Sequence, residues 1–584
     1  MKKNRTAMLL AMALGSTALL IGSVAPVANA ASGQNAKAVG PAPKVAGTKI
    51  GGTLNVTAKS DYSHLDPQRC YSTGCGNFGR LIWRTLTGYQ NINGKLTLVG
   101  DLASDVGTAS NGGKTWAFKL RPNIKWEDGT VTTCAELEYG IKRAFDQLSD
   151  SPVLTAGPAY PTVYIENKNN YKGPYATPNT ELSGVSCSKS GSVEVITIKL
   201  NFASGDFNQQ TTFGSYAAVK KSKDTGAKYD NEVFSNGPYK IQTRIFKDKT
   251  ILVRNTNWDA KTDPVRVAAP DKIDMLFGQD SVNTNNLYIE DQGRAVNGFA
   301  NGPLAQNTSL IYDSEKDALQ PIFEKRGFYG PNIVTDWIAI NVQKVTDINL
   351  RKAIQCAFNK ESARAALGGK SLGNYTNSLT PTMLAGYSKY TVCTDNPKGD
   401  VTKAKSFMSK VKTNKELTFV YSNATKDSEN MALSLQSSLT KAGIKVKIKP
   451  IDSTTYYDIL EQQGPDAPDL MLYGWAYDWP NASTIYPPLF DSDLVGDDLV
   501  GENKSRVKDK ALDALMDKAI GETNPAKQAA AWVAIDKYVV NTIAAVVPFY
   551  QGKSLYWTGS NVGGTYYSPM AAMDWANVFL KSGK

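Results

Sequence analysis

The stretch between residues 417 and 476 alternates strand-like and helix-like segments, and this alternation constrains the fold more than any other feature of the sequence. Residues 417–422 and 444–450 have the character of strands, and the helical pattern between them stops at Gly443. A second helical pattern at 456–463 leads to the apolar segment DLMLYGW. We therefore predict an α/β lobe with the order β-α-β-α-β.

The stretch GWAYDWPNAST at residues 474–484 directly follows the last predicted strand. In open α/β sheets ligands bind beyond the carboxyl ends of the strands, so sequence order places Asp478 at a ligand crevice. This carboxylate stands between two aromatic residues, Tyr477 and Trp479. The alternatives are that Asp478 caps the strand end or forms a structural ion pair, and that Trp475 belongs to the core.

The length of the chain predicts at least two lobes. Its 584 residues exceed the roughly 250 to 300 at which a single hydrophobic core stops growing. Hydrophobic residues make up 41% and charged residues 20%, which is typical of a folded globular protein and excludes a largely disordered one.

The first 30 residues have the three parts of a secretory signal peptide. A basic start is followed by an apolar segment at 7–22 and by an Ala-x-Ala site that ends at Ala30. We predict cleavage after Ala30 and export to the cell envelope or the extracellular space. A membrane anchor is the weaker alternative, because the apolar segment is shorter than the ~20 residues that a spanning helix needs. Residues 31–48, rich in Ala, Gly, Pro and Lys, are predicted to form a flexible linker.

Six cysteines in an exported chain indicate disulfides rather than metal ligands. Fifteen pairings of six cysteines are possible. Proximity in the sequence favours Cys70 with Cys75, Cys134 with Cys187, and Cys356 with Cys393. We expect neither a metal site nor a cofactor, because the chain has no Cys-x-x-Cys pair and His64 is its only histidine.

The formal net charge of +11 raises the question of a nucleic-acid partner. The lysines, however, are interspersed with acidic residues and form no long basic run. We interpret the charge as a modest attraction to an anionic cell envelope, where the protein would be peripheral to the membrane.

An ordered series of motifs indicates a family. The motifs are GGTLNV with HLDPQ, LIWRTLTGY, KTWAFKLRPNIKWEDGTVTTCAELEYGIKRAFD, SNGPYKI with VRNTNWD, WIAINVQKVTDINLRKAIQCAFNKE and YGWAYDWPNAST. In these motifs the chain resembles the family 5 solute-binding proteins of ABC importers, the peptide, dipeptide and nickel group, and most of all the oligopeptide-binding members. The resemblance implies an α/β, two-lobed periplasmic-binding-protein-like fold of the class II type, with a hinge and a cleft between the lobes. The implied first lobe covers residues 49–303 with a return at 553–584, and the second covers 304–552.

The same resemblance implies a binding site for the ligand's α-ammonium group. Oligopeptide and dipeptide binders of this family carry a Gly-Trp-x-x-Asp pattern whose aspartate pairs with that ammonium, and Gly474, Trp475 and Asp478 match it. Tyr477 and Trp479, with Trp475, would supply apolar walls that exclude water around the pair.

A loop of the first lobe is the second implied ligand contact. Its residues are Tyr71, Ser72, Thr73 and Gly74. The alternative is that the glycines and a disulfide between Cys70 and Cys75 make this loop an ordinary rigid turn.

Three functional hypotheses follow. The leading one is a monomeric, non-enzymatic binding protein that captures oligopeptides and delivers them to the permease subunits of an ABC importer. The second is the same fold with an oligosaccharide or another small solute as ligand, for which the tryptophans would be stacking platforms. The third is a secreted hydrolase with paired carboxylates, for example Asp466 with Asp478. The third is disfavoured because the sequence contains no GxSxG, HExxH or P-loop motif.

Overall fold

The computed structural model describes residues 33–92, 95–299, 304–453, 455–496, 500–565, 567–568 and 572–584. The predicted signal peptide and its cleavage site lie outside these residues. No helix within these ranges is both long enough and apolar enough to cross a membrane.

The β-strands of the described residues are numbered β1–β24 and the α-helices α1–α14. The strands are β1 Gly33–Asn35, β2 Thr53–Thr57, β3 Thr87–Ile92, β4 Lys95–Gly100, β5 Thr108–Ser110, β6 Thr115–Lys119, β7 Val185–Ser190, β8 Val193–Lys199, β9 Tyr239–Ile245, β10 Lys249–Arg254, β11 Lys272–Leu276, β12 Gly298–Phe299, β13 Tyr312–Asp313, β14 Ala318–Leu319, β15 Gly327–Ile340, β16 Gly373–Tyr375, β17 Leu417–Ser422, β18 Val446–Ile451, β19 Leu470–Ala476, β20 Val546–Trp557, β21 Val562–Gly563, β22 Tyr567–Ser568, β23 Ala572–Met573 and β24 Phe579–Leu580. The helices are α1 Thr73–Ile82, α2 Cys134–Arg143, α3 Tyr160–Tyr164, α4 Phe207–Gln210, α5 Ser281–Glu290, α6 Thr308–Ile311, α7 Ile348–Ala357, α8 Lys360–Ala366, α9 Val401–Met408, α10 Lys426–Lys441, α11 Tyr456–Glu461, α12 Tyr486–Phe490, α13 Lys510–Gly521 and α14 Pro525–Lys537.

Lobe I comprises the described residues of 33–331 and 553–584. It contains sheets in the orders β12-β2-β11-β10-β9, β5-β6-β8-β7 and β1-β4-β3. In β2, alternate residues Leu54 and Val56 point into the core, as Ile273 and Met275 do in the parallel neighbour β11. This alternation in both strands sets their register, because a slip by one residue would turn the apolar set away from the core.

Lobe II comprises the described residues of 335–551 and is built on a sheet in the order β16-β20-β15-β19-β17-β18. The predicted β-α-β-α-β unit is present as β17, α10, β18, α11 and β19, with β17 parallel to both β18 and β19. Phe419 packs into one core cluster and the adjacent Val420 into another, so β17 is buried on both faces. A continuous apolar run is the sequence signature of such a strand.

Two long antiparallel strands, β15 and β20, connect the lobes. Residues 327–331 of β15 pair with 553–557 of β20, and residues 335–339 pair with 546–551. The register shifts between Pro331 and Thr335. A side chain at Gly552 would place its Cβ 2.4 Å from Asn332 Oδ1, so a larger residue here would displace the Asn332 side chain. The irregular pairing marks the place where the lobes can move relative to each other, since fewer ladder hydrogen bonds resist bending there.

The predicted boundary between the lobes at residue 303 is too early in the chain. Within 304–331, Ile311, Tyr312 and Phe323 form a core cluster with Tyr288 and Trp557 of lobe I. The chain therefore leaves lobe I within β15.

The prediction of a flexible linker at 31–48 is wrong for residues 33–48, which pack against lobe I. β1 pairs with β4 in parallel, and the side chains of Ala38 and Ala42 are buried. Arg121 Nη2 also donates to Ala38 O at 2.7 Å. Ala38 and Ala42 thus anchor the segment to the lobe, while Ala36, Val39 and Ala46 remain exposed.

All three favoured disulfides are present in the structure. They are Cys70–Cys75, Cys134–Cys187 and Cys356–Cys393. The first two lie within lobe I and the third within lobe II, so none of them ties the two lobes together.

Candidate functional site

Asp478 lies in the connection that follows the carboxyl end of β19, at the contact between the lobes. Both of its oxygens accept hydrogen bonds from lobe I. Tyr71 Oη donates to Oδ1 at 2.9 Å, and Tyr160 Oη donates to Oδ2. The carboxylate is therefore held in one orientation by two phenols from the opposite lobe.

No basic side chain of the described residues forms an ion pair with Asp478. Burial raises the pKa of its carboxyl above the usual range, while the hydrogen bonds from Tyr160 and Tyr71 act in the opposite direction. An ionised carboxylate offers about four acceptor positions, and two of them are used here. The site thus lacks a cation and keeps capacity to accept hydrogen bonds from one.

A cavity of about 250 Å³ lies beside Asp478 between the two lobes. Lobe I supplies one wall through the loop before α1 and through α1 itself, and lobe II supplies another through the end of β19. The lining residues are Cys70, Tyr71, Ser72, Thr73, Gly76, Arg80, Trp83, Thr85, Gly88, Tyr89, Thr212, Phe213, Gly214, Arg266, Ile333, Ala476, Tyr477 and Asp478. Ile333 belongs to the irregular part of β15, so a ligand in this cavity would touch the hinge.

Helix α1 presents the predicted lobe I loop to this cavity. Ser72 is its N-cap, and the Ser72 side chain accepts from Cys75 N at 3.3 Å. Tyr71, Ser72 and Thr73 line the cavity, as the sequence analysis predicts for a ligand-facing loop. Gly74 does not line the cavity. It faces Tyr62 instead, since a Cβ at Gly74 would lie 2.9 Å from Tyr62 Cε1.

Of the predicted aromatic walls, Tyr477 alone lines the cavity. Trp475 packs against the lobe II core, and its Nε1 donates to Thr484 O at 2.8 Å. Trp479 is 2% exposed, and its Nε1 donates to Asp206 Oδ2 at 2.8 Å. The two tryptophans are therefore structural here, and the oligosaccharide hypothesis loses the stacking platforms on which it depended.

Gly474, the first residue of the matched pattern, also has a structural role. It lies opposite Asp336 in the pairing of β19 with β15. A Cβ at Gly474 would be 2.3 Å from Asp336 Oδ1. A larger residue at this position would displace the Asp336 carboxylate, which occupies the space of a side chain.

The paired-carboxylate hypothesis is wrong for Asp466 and Asp478. Asp466 is exposed and precedes β19, whereas Asp478 follows it. The seven residues of this strand separate the two carboxylates by roughly 20 Å. They cannot act together on one bond.

Three residues of the site carry no signal in the sequence. Tyr160 is 318 positions from Asp478, and Asp206 contacts Trp479 from the other lobe. Arg80 lies on α1, a helix that no sequence pattern described above predicts. Only the folded arrangement brings these side chains to the cleft.

A family model described as "Bacterial extracellular solute-binding proteins, family 5 Middle" matches residues 97–497. The oligopeptide-binding protein OppA of Bacillus subtilis (strain 168) is 26% identical over 322 residues, which are 53% of this chain and 53% of that protein. The chain therefore matches about half the length of this relative. The periplasmic murein peptide-binding protein MppA of Escherichia coli (strain K12) is 24% identical over 514 residues, 84% of this chain and 86% of that protein.

Solved structures give the same grouping. Clavulanic acid biosynthesis oligopeptide binding protein 2 superposes with a TM-score of 0.81 at 25% identity, over 94% of this chain and 99% of that one. DppA from Helicobacter pylori in complex with the peptide STSA superposes with a TM-score of 0.63 at 18% identity, over 91% and 99% of the two chains. The second likeness concerns the fold alone.

Proposed function

Because the chain belongs to the family 5 bacterial extracellular solute-binding proteins, we propose that it captures a peptide between its two lobes and delivers it to the permease of an ABC importer. The proposal depends on the surroundings of Asp478. Two tyrosines fix this carboxylate beside an inter-lobe cavity, and no basic side chain of the described residues pairs with it. The α-ammonium of a peptide supplies the missing cation.

The energetics favour such a pairing. The carboxylate already bears the cost of partial burial, which raises its pKa. A charge-assisted hydrogen bond from an ammonium contributes roughly 1.5 to 3 kcal/mol, more than a neutral donor would. Tyr71 and Tyr160 of lobe I hold the acceptor in place when the lobes close, so Asp478 is already oriented in the closed complex.

The relatives support a peptide as the ligand class. OppA and MppA are named as binders of oligopeptides and murein peptides, and one solved relative contains a four-residue peptide. We extend the peptide class to this chain and propose further that it is exported with cleavage after Ala30, works as a monomer and has no turnover of its own.

The test is to identify what the purified protein carries. Denaturing the secreted protein and analysing the released molecules by mass spectrometry should yield peptides with free amino termini. Released sugars, or peptides with blocked amino termini, would contradict the proposal. Incubation with peptide and glycan libraries should leave every component intact.

A further inference from the structure

A second cavity, the lobe II cavity, is formed entirely by residues of lobe II. Its volume is about 230 Å³, close to the 250 Å³ of the inter-lobe cavity, and the two cavities share no lining residue. The walls come from the start of α8, the end of β16 and the loop at 376–397. The lobe II cavity is therefore distinct from the peptide cleft.

Lys360, the first residue of α8, brings a cation to the lobe II cavity. Its Nζ donates to Thr376 O at 2.7 Å and to Asn377 Oδ1 at 2.8 Å. Both acceptors are neutral, and Nζ forms no ion pair with any carboxylate of the described residues. An ammonium group has three N–H donors, so one donor of Lys360 is uncommitted.

The charge of Lys360 lacks compensation by the protein. The side chain is partly buried. Burial lowers the pKa of its ammonium to about 7, while the charge of Asp395 acts in the opposite direction. Buried charges in proteins are normally paired, because an unpaired one bears the full cost of leaving water. An anion in the lobe II cavity would supply the missing partner.

The remaining charges of the lining limit that anion to a single negative charge. Asp395 is the one carboxylate that the described residues contribute, and it accepts from Asn377 Nδ2 at 3.2 Å and from Thr391 Oγ1 at 2.9 Å. Lys389, which is exposed, adds a second cation. Two cations and one carboxylate leave the lining with a net charge of one, so a monoanion suits it better than a dianion such as phosphate.

Uncharged donors and the size of the cavity favour a carboxylate group. Tyr387 and Ser388 line the cavity, and their hydroxyls make no hydrogen bond within the described ranges. An ionised carboxylate has about four acceptor positions, enough for an ammonium and hydroxyl groups together. The volume of about 230 Å³ is below the roughly 300 to 1,000 Å³ of drug-sized sites, so the ligand should be small.

We propose that the lobe II cavity binds a small organic monocarboxylate, whose carboxylate group accepts a hydrogen bond from the free N–H of Lys360. This site does not depend on the peptide-binding function proposed above. The competing explanation is that Lys360 is only a strut, which ties α8 to the following loop through Thr376 and Asn377. A strut needs the two hydrogen bonds, whereas a carboxylate site also needs the charge.

The first experiment compares acids with their amides. Acetate, propionate and benzoate, the three matched primary amides and inorganic phosphate are titrated into the mature chain and followed by saturation-transfer NMR. Chloride keeps the ionic strength constant, and a pH of about 6 keeps Lys360 protonated. At least one acid should bind about 10- to 100-fold more tightly than its amide. The proposal is overturned if no acid exceeds its amide, or if phosphate binds more tightly than every acid.

The second experiment assigns the binding to Lys360. Lys360→Gln removes the charge but keeps two N–H donors for Thr376 O and Asn377 Oδ1, so it preserves the strut. The preference for the acid over its amide should fall to less than about threefold. Lys405→Gln alters an exposed lysine of α9 outside the lining and should keep the full preference. Full preference in folded Lys360→Gln would leave Lys360 as a strut and overturn the proposal.

An exchange of two side chains tests the same point with Lys360 in place. In Asn377→Asp/Asp395→Asn the negative charge moves to the position 2.8 Å from Lys360 Nζ. An amide still donates between residues 377 and 395, and the net charge of the lining is unchanged. Because Lys360 then has an internal counter-ion, the preference for the acid should again fall below about threefold. Thermal unfolding establishes which variants fold, and a folded double variant with full preference would also overturn the proposal.

Discussion

Asp478 and Asp206 are two carboxylates at the contact between the lobes, and they differ in how much hydrogen-bond acceptor capacity remains accessible to a ligand. Asp206 accepts from Trp479 Nε1 and Ser483 Oγ on one oxygen and from Ser204 Oγ on the other. It is 4% exposed and does not line the cavity. Asp478 accepts from two tyrosines and faces the cavity.

Burial raises the pKa of both carboxyls, and hydrogen bonds oppose the rise in each. The difference is therefore one of access. Asp206 is sealed between the lobes, beside a backbone hydrogen bond from Gly205 N to Ile520 O at 2.7 Å, so it can hold the lobes together but cannot meet a ligand. Asp478 can do both, because part of its acceptor capacity opens on the cavity.

The largest expected effect comes from removing the charge of Asp478. Asp478→Asn keeps the shape of the side chain and should weaken peptide binding by about 2 to 3 kcal/mol, roughly 30- to 150-fold. The reason is that the ligand's ammonium loses a charged acceptor. Isothermal titration with a captured peptide measures the loss.

N-acetylation of the peptide provides the matching change on the ligand. It should cost the wild type a similar amount and the Asp478→Asn variant much less, because both changes delete one interaction. Additive losses would show that Asp478 and the amino group do not interact. Unchanged affinity of the variant would leave Asp478 with a purely structural role.

Asp206→Ala should have the next largest effect, and a different signature. It leaves the Ser483 O–H buried without its acceptor, while Trp479 Nε1 keeps only its bond to Ser483 Oγ at 3.1 Å; this costs about 1 to 3 kcal/mol in the closed arrangement. Because an open arrangement lets water reach these groups, peptide affinity should fall with the population of closed molecules. Titration should show equal losses for the free and the N-acetylated peptide.

Asp206→Asn is the conservative control, since an amide oxygen can still accept from both donors. It should keep most of the affinity. A loss in Asp206→Ala that depends on N-acetylation would remove the distinction between the two carboxylates.

The sequence predicts the lobe II unit well and the cleft only in part. The strand at 417–422 agrees with β17 because a strand buried on both faces leaves a continuous apolar run. The disulfides agree because each bridge joins two consecutive cysteines of the chain. The small residues at 33–48 are misread, since the same composition suits a loose linker and a segment that packs tightly, as Ala38 and Ala42 do.

The site itself combines one local signal with several distant ones. Asp478 is found because it follows a strand end, a position that sequence order reveals. Trp475 and Trp479 are expected as ligand walls, but their indole N–H groups find acceptors in Thr484 O and Asp206 instead. Tyr160 comes from an element of lobe I with no shared motif, so its role depends on how the lobes meet.

The pH dependence of binding provides a smaller and graded test. The pKa of Asp478 is raised in the free protein, and a bound ammonium would lower it again by stabilising the ionised form. Affinity should therefore be highest above the free-protein pKa and fall, up to about tenfold per pH unit, as the pH drops through it. At the alkaline end, the affinity should fall again near pH 8, because the peptide's amino group loses its proton there.

Titration calorimetry across this range should show the acidic decline in the wild type and in Asp206→Asn. Asp478→Asn should lack it, because an amide does not titrate. The same acidic decline in Asp478→Asn would assign the titration to another group and contradict this use of Asp478.

The smallest expected effect comes from Tyr71→Phe, which removes one donor to Asp478 and leaves Tyr160 in place. Tyr71 is 49% exposed, so water can replace its hydroxyl and affinity should fall by only about 0.5 to 1 kcal/mol. The hydrogen bond from Tyr71 lowers the pKa of Asp478. Because its loss raises that pKa, the acidic decline of affinity should move to higher pH, by less than about one unit. Calorimetry over the same pH series measures both quantities. A decline that moves to lower pH would mean that Tyr71 does not stabilise the ionised carboxylate, and the contrast between an open Asp478 and a sealed Asp206 would then rest on Tyr160 alone.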